Sequence, residues 1–279
     1  MQLSNQNKSE LEPFLSWAGG KRWLVKNGIQ IAPSSYKRYI EPFLGGAAVF
    51  FSLPEVPHII SDLNPELINC YNAIKDDFRK VEKLLRLHQK KHCDNYYYQV
   101  RESQPRERFI KAARFLYLNR TCWNGLYRVN LHGKFNVPRG TKNKVLLDTD
   151  NFENIAKRLS KGMILCQDFE KTLSLSGKGD FVFIDPPYTV NHNSNGFLEY
   201  NEKIFSWADQ ERLKDAITSA VGRGAMITMT NADHHSIHKL YAGMYKIEKI
   251  ERSSVIAGKS SHRGVTSEVL IRIGWDTVC

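Results

Sequence analysis

Three short apolar runs in this chain each end at an acidic side chain, and this pattern constrains the fold more than any other feature. The runs occupy residues 39–41, 58–62 and 181–185, and they end at Glu41, Asp62 and Asp185. Helical patterns separate them, for example over residues 66–74 and 207–221. Because strand and helix signals alternate, the sequence predicts an α/β fold with a doubly wound, Rossmann-like sheet. Two later apolar runs, residues 225–229 and 268–273, predict further strands, and the last of them could be antiparallel.

A stretch from about residue 75 to residue 160 interrupts this alternation. It has helical patterns over residues 78–92 and 106–119, followed by a Gly- and Asn-rich segment over residues 124–141. We therefore predict two domains. Residues 1–74 and 161–279 would form the sheet domain, and residues 75–160 would form an inserted, mainly helical domain.

The positive charge of the chain is concentrated in the same region. The net charge is +11, and residues 70–160 hold 20 Lys and Arg against 9 Asp and Glu, which accounts for the whole excess. The bias could describe a solvated helical face. However, aromatic residues that could stack on bases are interleaved with the cations, and this mixture favours nucleic acid as the partner. These aromatic residues are Tyr96, Tyr97, Tyr98, Tyr117, Trp123 and Tyr127.

Several classes of protein are disfavoured by composition. No apolar run approaches the roughly 18 to 20 residues of a membrane span, and the polar N-terminus lacks the apolar centre of a secretion signal, so we expect a cytoplasmic protein. The 5 cysteines are scattered and never spaced as Cys-x-x-Cys, which argues against a zinc site. His234, His235 and His238 have no suitably spaced carboxylate or cysteine partner, so we expect no metal there.

The segment Asp185-Pro186-Pro187-Tyr188 has a specific chemical use at the end of a buried strand. An exocyclic base amine has a lone pair delocalised into the ring. Hydrogen bonds from its N–H groups to the Asp185 carboxylate and to a proline carbonyl would favour the nucleophilic, tetrahedral form. The prolines fix the backbone, and Tyr188 could stack on a flipped-out base. The alternative is an ordinary exit from a strand into a loop.

Four ordered motifs resemble the Dam-type, or alpha-group, DNA adenine-N6 methyltransferases over nearly the whole chain. They are Trp17-Ala18-Gly19-Gly20-Lys21, Glu41-Pro42-Phe43-Leu44-Gly45-Gly46, Ser61-Asp62-Leu63-Asn64 and Asp185-Pro186-Pro187-Tyr188. The resemblance implies that the enzyme methylates N6 of adenine in duplex DNA, with S-adenosylmethionine as the methyl donor and possible restriction-modification partners. It also suggests a four-base, GATC-like target.

The resemblance implies three groups of functional residues. The tetrapeptide from Asp185 to Tyr188 would be catalytic. Cofactor contacts would come from Trp17, Ala18, Gly19, Gly20, Lys21, Glu41, Pro42, Phe43, Gly45, Asp62, Asp168, Phe169 and Asp185. Taken singly, Trp17 could be a core residue, Lys21 a solvated cation and Asp168 a helix N-cap. Ala47 departs from the family pattern, which usually has a third glycine at that position.

In the same relatives the inserted domain recognises the DNA target. The implied DNA contacts are Trp123, Asn124, Leu126, Arg128, Asn136, Arg139 and Lys142. Trp123 would stack against DNA, and Arg128 would read a guanine edge with its two-pronged donors, although it could bind phosphate alone.

Two rival functions remain open on the sequence. A cytosine-N4 methyltransferase needs the same amine activation, but such enzymes usually begin the tetrapeptide with Ser. A non-catalytic DNA-binding homologue would keep the fold without the chemistry. We expect a monomeric enzyme that needs no metal, because direct displacement at a sulfonium methyl depends mainly on positioning.

Overall fold

A computed structural model describes residues 11–125, 127–130, 133–190, 205–253 and 265–275. It contains a seven-stranded sheet with the order β3-β2-β1-β4-β5-β7-β6. The strands are β1 (Arg38–Glu41), β2 (His58–Asp62), β3 (Gly162–Cys166), β4 (Asp180–Ile184), β5 (Met226–Ala232), β6 (Lys246–Ser253) and β7 (Val265–Ile273). The order reverses between β1 and β4, so the predicted α/β, doubly wound fold class is confirmed.

Nine α-helices are described in these parts of the chain. They are α1 (Arg22–Lys26), α2 (Ala48–Ser52), α3 (Pro65–Lys91), α4 (Asp94–Glu102), α5 (Arg108–Thr121), α6 (Phe152–Leu159), α7 (Phe169–Ser174), α8 (Trp207–Gly222) and α9 (His235–Tyr241). A short 3-10 helix spans Trp123–Gly125.

The chain divides into two compact units, made of residues 1–25 with 44–166 and of residues 26–43 with 167–279. In the first unit β2 and β3 pair in parallel, and α3 packs against α5 and α6. The buried Arg120 guanidinium forms an ion pair with the Asp150 carboxylate at 2.6 Å and also donates to the carbonyls of Phe14 and Val145. This network ties α5 to the segments before α1 and before α6.

The second unit contains β4, which is the fourth of the seven strands in the sheet order. It pairs in parallel with β1 on one side and with β5 on the other, and every residue of β4 is buried. β7 pairs antiparallel with both β5 and β6, as the sequence allowed. The second unit therefore contains the point at which the strand order reverses. In open α/β sheets, ligands bind beyond the carboxyl ends of the strands at such a point.

Two element boundaries differ from the sequence prediction. The helical patterns over residues 66–74 and 78–92 belong to one helix, α3, with non-helical angles at Asp77 inside it. Asn64 caps its start by accepting from the backbone N–H groups of Glu66 and Leu67, and Pro65 fits the first turn. β5 continues to Ala232, so the polar pair Thr230-Asn231 lies within the strand instead of in the loop after it.

Candidate active site

The end of β4 carries the predicted catalytic tetrapeptide. Asp185 is half-buried and Pro186 is buried, directly after a strand whose five residues are all shielded from solvent. One carboxylate oxygen of Asp185, Oδ1, accepts a hydrogen bond of 2.7 Å from the hydroxyl of Thr230 on β5. This bond joins the Asp185 side chain to β5 through Oδ1.

Tyr188 is anchored through its hydroxyl. The phenol donates to Oε2 of Glu268 on β7 at 2.7 Å, and Glu268 is buried. Burial, together with the neighbouring Asp185 and Glu268 carboxylates, raises the pKa of the Tyr188 phenol well above its ordinary value. The hydroxyl therefore stays protonated and acts as a donor. The residue as a whole is half-buried, so the anchor fixes one end of a ring that keeps some exposure.

An aromatic cluster follows β1 in the same unit. The rings of Phe43 and Phe169 are stacked with centroids 5.4 Å apart, and the ring of Phe205 meets Phe43 edge-on at 5.6 Å. The buried Glu41 accepts a hydrogen bond of 3.0 Å from the hydroxyl of Tyr39, and Pro42 is buried beside it. The predicted contacts Phe43 and Phe169 thus touch each other, and Glu41 and Pro42 of the same motif as Phe43 are buried.

Asp168 has the structural role that was its alternative interpretation. It caps α7 by accepting from the backbone N–H of Glu170 at 2.9 Å, and it also accepts from the Arg212 guanidinium at 3.0 Å. The same guanidinium lies 4.9 Å from the centroid of the Phe169 ring. Arg212 is a residue that the sequence did not single out, and it fixes both predicted cofactor contacts at this end of α7.

Within the first unit, the motif that begins at Trp17 meets the glycine turn. A Cβ atom on Gly45 would lie 2.7 Å from Cδ1 of the Trp17 indole, so only glycine permits this approach. The indole stacks on Tyr127 with centroids 6.4 Å apart. Asn119 holds the preceding residue, because its amide donates to the Ser16 carbonyl at 2.7 Å and its oxygen accepts from the Ser16 N–H at 3.0 Å.

The remaining residues of this motif form a tight turn. Ala18 and Gly19 are exposed, and the backbone N–H of Gly20 donates to the Trp17 carbonyl at 3.2 Å. Lys21 is buried, and its ammonium donates to the Gly19 carbonyl at 2.9 Å. The solvated-cation interpretation of Lys21 is therefore wrong, since its charge is kept within the turn.

Asp62 ends β2 and organises the glycine turn. Its Oδ2 accepts from the backbone N–H of Gly45 at 3.0 Å, and its Oδ1 accepts from the N–H of Asn64 at 2.9 Å. Burial raises the pKa of the Asp62 carboxyl, and these backbone donors oppose that rise. A carboxylate has about four lone-pair sites, so Asp62 can still accept from a ligand hydroxyl.

The departure at Ala47 has a conformational consequence. Ala47 has φ 56°, in the left-handed region that glycine enters without steric cost. The preference of the family for glycine at this position therefore has a physical reason in this backbone. In this chain the fold imposes the conformation on alanine.

The predicted DNA-contact segment forms a pinned loop after α5. Cys122 and Arg139 form an isolated antiparallel bridge, and the N–H of Trp123 donates to the Pro138 carbonyl at 2.9 Å. Trp123 is 52% exposed, a large fraction for a tryptophan, which is usually mostly buried. Asn124 next to it has φ 54°. The loop base is thus fixed while its aromatic residue projects outward.

The polar residues assigned to DNA contact have different surroundings. Arg128, Asn136 and Lys142 are exposed, whereas Arg139 forms an ion pair of 2.6 Å with Asp94. Leu126 lies outside the described residues. Arg139 therefore forms an ion pair within the protein, whereas the other three side chains face solvent.

Across the described residues, no group of three or more His, Cys, Asp and Glu side chains could hold a metal ion. His238 pairs with Asp233 at 2.7 Å, so this histidine does have a carboxylate neighbour. No described helix is long and apolar enough to cross a bilayer.

Comparison with known proteins decides the family. A sequence model of the D12 class N6 adenine-specific DNA methyltransferases matches residues 17–256. The chain belongs to this family. The predictions of an adenine-specific DNA methyltransferase and of DNA as its substrate are therefore confirmed, and the cytosine-N4 alternative is not supported.

Curated relatives of this family match the chain over most of its length. The type II methyltransferase M1.LlaDCHI of Lactococcus lactis subsp. cremoris is 37% identical, with 97% of this chain and 98% of the relative covered. The type II methyltransferase M.MjaIII of Methanocaldococcus jannaschii is 36% identical, with 91% and 96% covered. A DNA adenine methylase of Haemophilus influenzae is 32% identical, with 88% of each chain covered.

Proposed function

We propose that this D12 class enzyme transfers a methyl group from S-adenosylmethionine to N6 of an adenine flipped out of duplex DNA. The observation that carries the proposal is the position of Asp185 and its hydrogen bond to Thr230. Its carboxylate follows a fully buried strand, and one of its oxygens is fixed by the Thr230 hydroxyl at 2.7 Å. In this proposal the Asp185 carboxylate accepts an N–H of the target amine.

Asp185 and Tyr188 have complementary roles in this proposal. Accepting an amine N–H at Asp185, with a second N–H going to the Pro186 carbonyl, withdraws the nitrogen lone pair from conjugation with the purine ring. Tyr188, anchored by Glu268, presents its ring for stacking on the base. Pro187 keeps the backbone between them rigid. Bound S-adenosylmethionine would supply a methyl group activated by the sulfonium charge.

The residues of the first unit fit the same donor. The flat Trp17 indole lies against Gly45, and the Asp62 carboxylate keeps lone pairs for ribose hydroxyls beside that turn. Lys21 holds the adjoining turn through the Gly19 carbonyl. In the second unit, Phe43, Asp168 and Phe169 would border the adenine of the donor. These assignments follow from the family resemblance, and the contacts described above support them.

For DNA recognition we propose the inserted domain at residues 75–160. Trp123 would stack on the duplex, Arg128 would read a guanine edge, and Asn136 and Lys142 would contact polar groups of the DNA nearby. The exposed tryptophan on a pinned loop supports this assignment. A GATC-like target, a monomeric state and a cytoplasmic location stay predictions, as does a restriction-modification partner, which the type II names of two relatives favour.

Analysis of nucleosides tests the proposed reaction directly. Plasmid DNA is incubated with the purified protein and isotopically labelled S-adenosylmethionine, and then digested for mass spectrometry. We expect label in N6-methyladenine, and Asp62→Asn should weaken donor binding by about tenfold or more in calorimetry, the loss that corresponds to about 1.4 kcal/mol. Label in N4-methylcytosine, or donor binding unchanged in the variant, would contradict the assignments.

A further inference from the structure

A hydroxyl from the neighbouring strand forms a hydrogen bond with Asp185. Ile184 on β4 pairs with Met229 on β5 in the parallel register, so the next residues, Asp185 and Thr230, follow side by side. Thr230 is fully buried, and its Oγ1 donates to Oδ1 of Asp185 at 2.7 Å. The sheet register therefore brings this donor to the carboxylate.

The chemistry of the carboxylate gives this bond a purpose. An aspartate side chain that rotates freely about χ2 presents its oxygens in many directions, and only a few of them suit an incoming amine. A hydrogen bond to an ionised acceptor is short and strong, which fits the observed distance. Thr230 is β-branched, so its own χ1 is restricted and the hydroxyl is held in place. Fixing Oδ1 in this way leaves Oδ2 in a defined direction.

A second threonine on the same strand offers an internal comparison. Thr228 lies two residues before Thr230, and alternation along a strand places both side chains on the same face. Thr228 is also fully buried, but its hydroxyl makes no hydrogen bond within the part of the chain that the structure describes. The two residues thus match in type, burial and face, and they differ in that Thr230 contacts Asp185 and Tyr188.

We propose that Thr230 is a positioning residue for methyl transfer, acting through Asp185 by fixing one carboxylate oxygen so that the other meets the N6 amine. The inference rests on the proposed function, in which Asp185 binds the target amine. It assigns to β5 a role in the reaction that the sequence motif alone does not carry. Thr230 itself need not touch the adenine.

Three variants test the role of the hydroxyl. Thr230→Val keeps the shape of the side chain and removes the donor, and kcat should fall by about 10- to 100-fold, as expected for a misplaced reacting group. Thr230→Ser keeps a hydroxyl and should recover most of the rate. Thr228→Val is the matched control and should leave kcat unchanged. The affinity for S-adenosylmethionine should stay at the wild-type value in all three.

A binding measurement gives a readout apart from turnover. The target site is first mapped in methylated DNA from expressing cells. Two duplexes then carry this site, one with adenine at the methylated position and the other with purine, which lacks the amine. In the presence of S-adenosylhomocysteine, the wild-type protein and Thr228→Val should prefer adenine. Thr230→Val should lose this preference, and Thr230→Ser should retain it.

The outcomes separate this inference from the proposed function. If Asp185→Ala is inactive while Thr230→Val matches the wild type in kcat and in preference for adenine, the role of Thr230 is refuted and that of Asp185 survives. Equal losses in Thr230→Val and Thr228→Val, or no recovery in Thr230→Ser, would also refute it. If Asp185→Ala keeps full activity, the proposed function itself fails.

Discussion

The close contact between Gly45 and Trp17 predicts a large effect for Gly45→Ala. Gly45 has φ 46°, and an added Cβ would lie 2.7 Å from Cδ1 and 2.9 Å from Nε1 of the indole. Since carbon atoms normally pack at about 3.5 to 4.0 Å, the ring would have to move by about 1 Å. Gly28→Ala is a matched control, because Gly28 has φ 68° and nothing within 4 Å of the added atom.

The two variants share one cost and differ in another. Placing alanine in the left-handed region costs about 1 to 2 kcal/mol in each variant. Only Gly45→Ala also displaces Trp17 from Tyr127 and Phe115, and aromatic pairs of this kind contribute about 0.5 to 1.5 kcal/mol each. We therefore expect losses in the free energy of unfolding of about 2 to 5 kcal/mol for Gly45→Ala and about 1 to 2 kcal/mol for Gly28→Ala.

Urea denaturation followed by circular dichroism would measure the stability difference, and calorimetry would measure the affinity for S-adenosylmethionine. Gly45→Ala should weaken donor binding, because the Trp17 ring and the turn held by Asp62 both shift. Gly28→Ala should bind the donor like the wild type once folded. Equal stability losses in the two variants would refute the predicted clash with Trp17. Unchanged donor affinity in Gly45→Ala would refute the assignment of this turn to the donor.

Three further predictions concern other parts of the chain. Arg120→Ala should lower the free energy of unfolding by about 3 to 5 kcal/mol because it leaves the buried Asp150 unpaired, and a loss below about 1 kcal/mol in urea denaturation would contradict this. Arg128→Ala should reduce discrimination at one base pair by about 1 to 3 kcal/mol in competition binding, whereas equal losses on cognate and random duplexes would indicate phosphate contact instead. The pKa of Asp233 is lowered to about 2, mainly by the hydrogen bond from His238. Asp233→Asn should therefore lower the free energy of unfolding by about 1 kcal/mol at pH 7. The stability difference between the variant and the wild type should shrink as pH falls from about 4 towards 2. A stability difference that grows in acid would contradict that sign.

The sequence alone predicts the features that depend on local patterns. The buried run before Asp185, the acidic strand ends and the Gly- and Asn-rich stretch around Asn124 all have local signals, and the structure contains the corresponding β4, β2 and pinned loop. The doubly wound order followed from alternation of strands and helices. These parts are predictable because each depends on residues close together in the chain.

The supporting contacts were not predictable, because they join distant residues. Thr230 lies 45 residues from Asp185 and Glu268 lies 80 residues from Tyr188, and only the register of β5 and β7 brings them together. Arg212 on α8 reaches Asp168, the N-cap of α7, across 44 residues of sequence. A hydroxyl or carboxylate within an apolar strand is the one sequence signal for such contacts, because a buried polar group needs a hydrogen-bond partner.

The most direct test of the whole account is methyl transfer by Asp185→Ala and by Asp185→Asn, measured as N6-methyladenine released from digested DNA. The account predicts that both variants still bind S-adenosylmethionine and duplex DNA, yet form N6-methyladenine at least about a hundredfold more slowly, the size of effect given by losing a positioned catalytic group. Methylation at the wild-type rate in either variant would contradict the claim that this carboxylate activates the adenine amine.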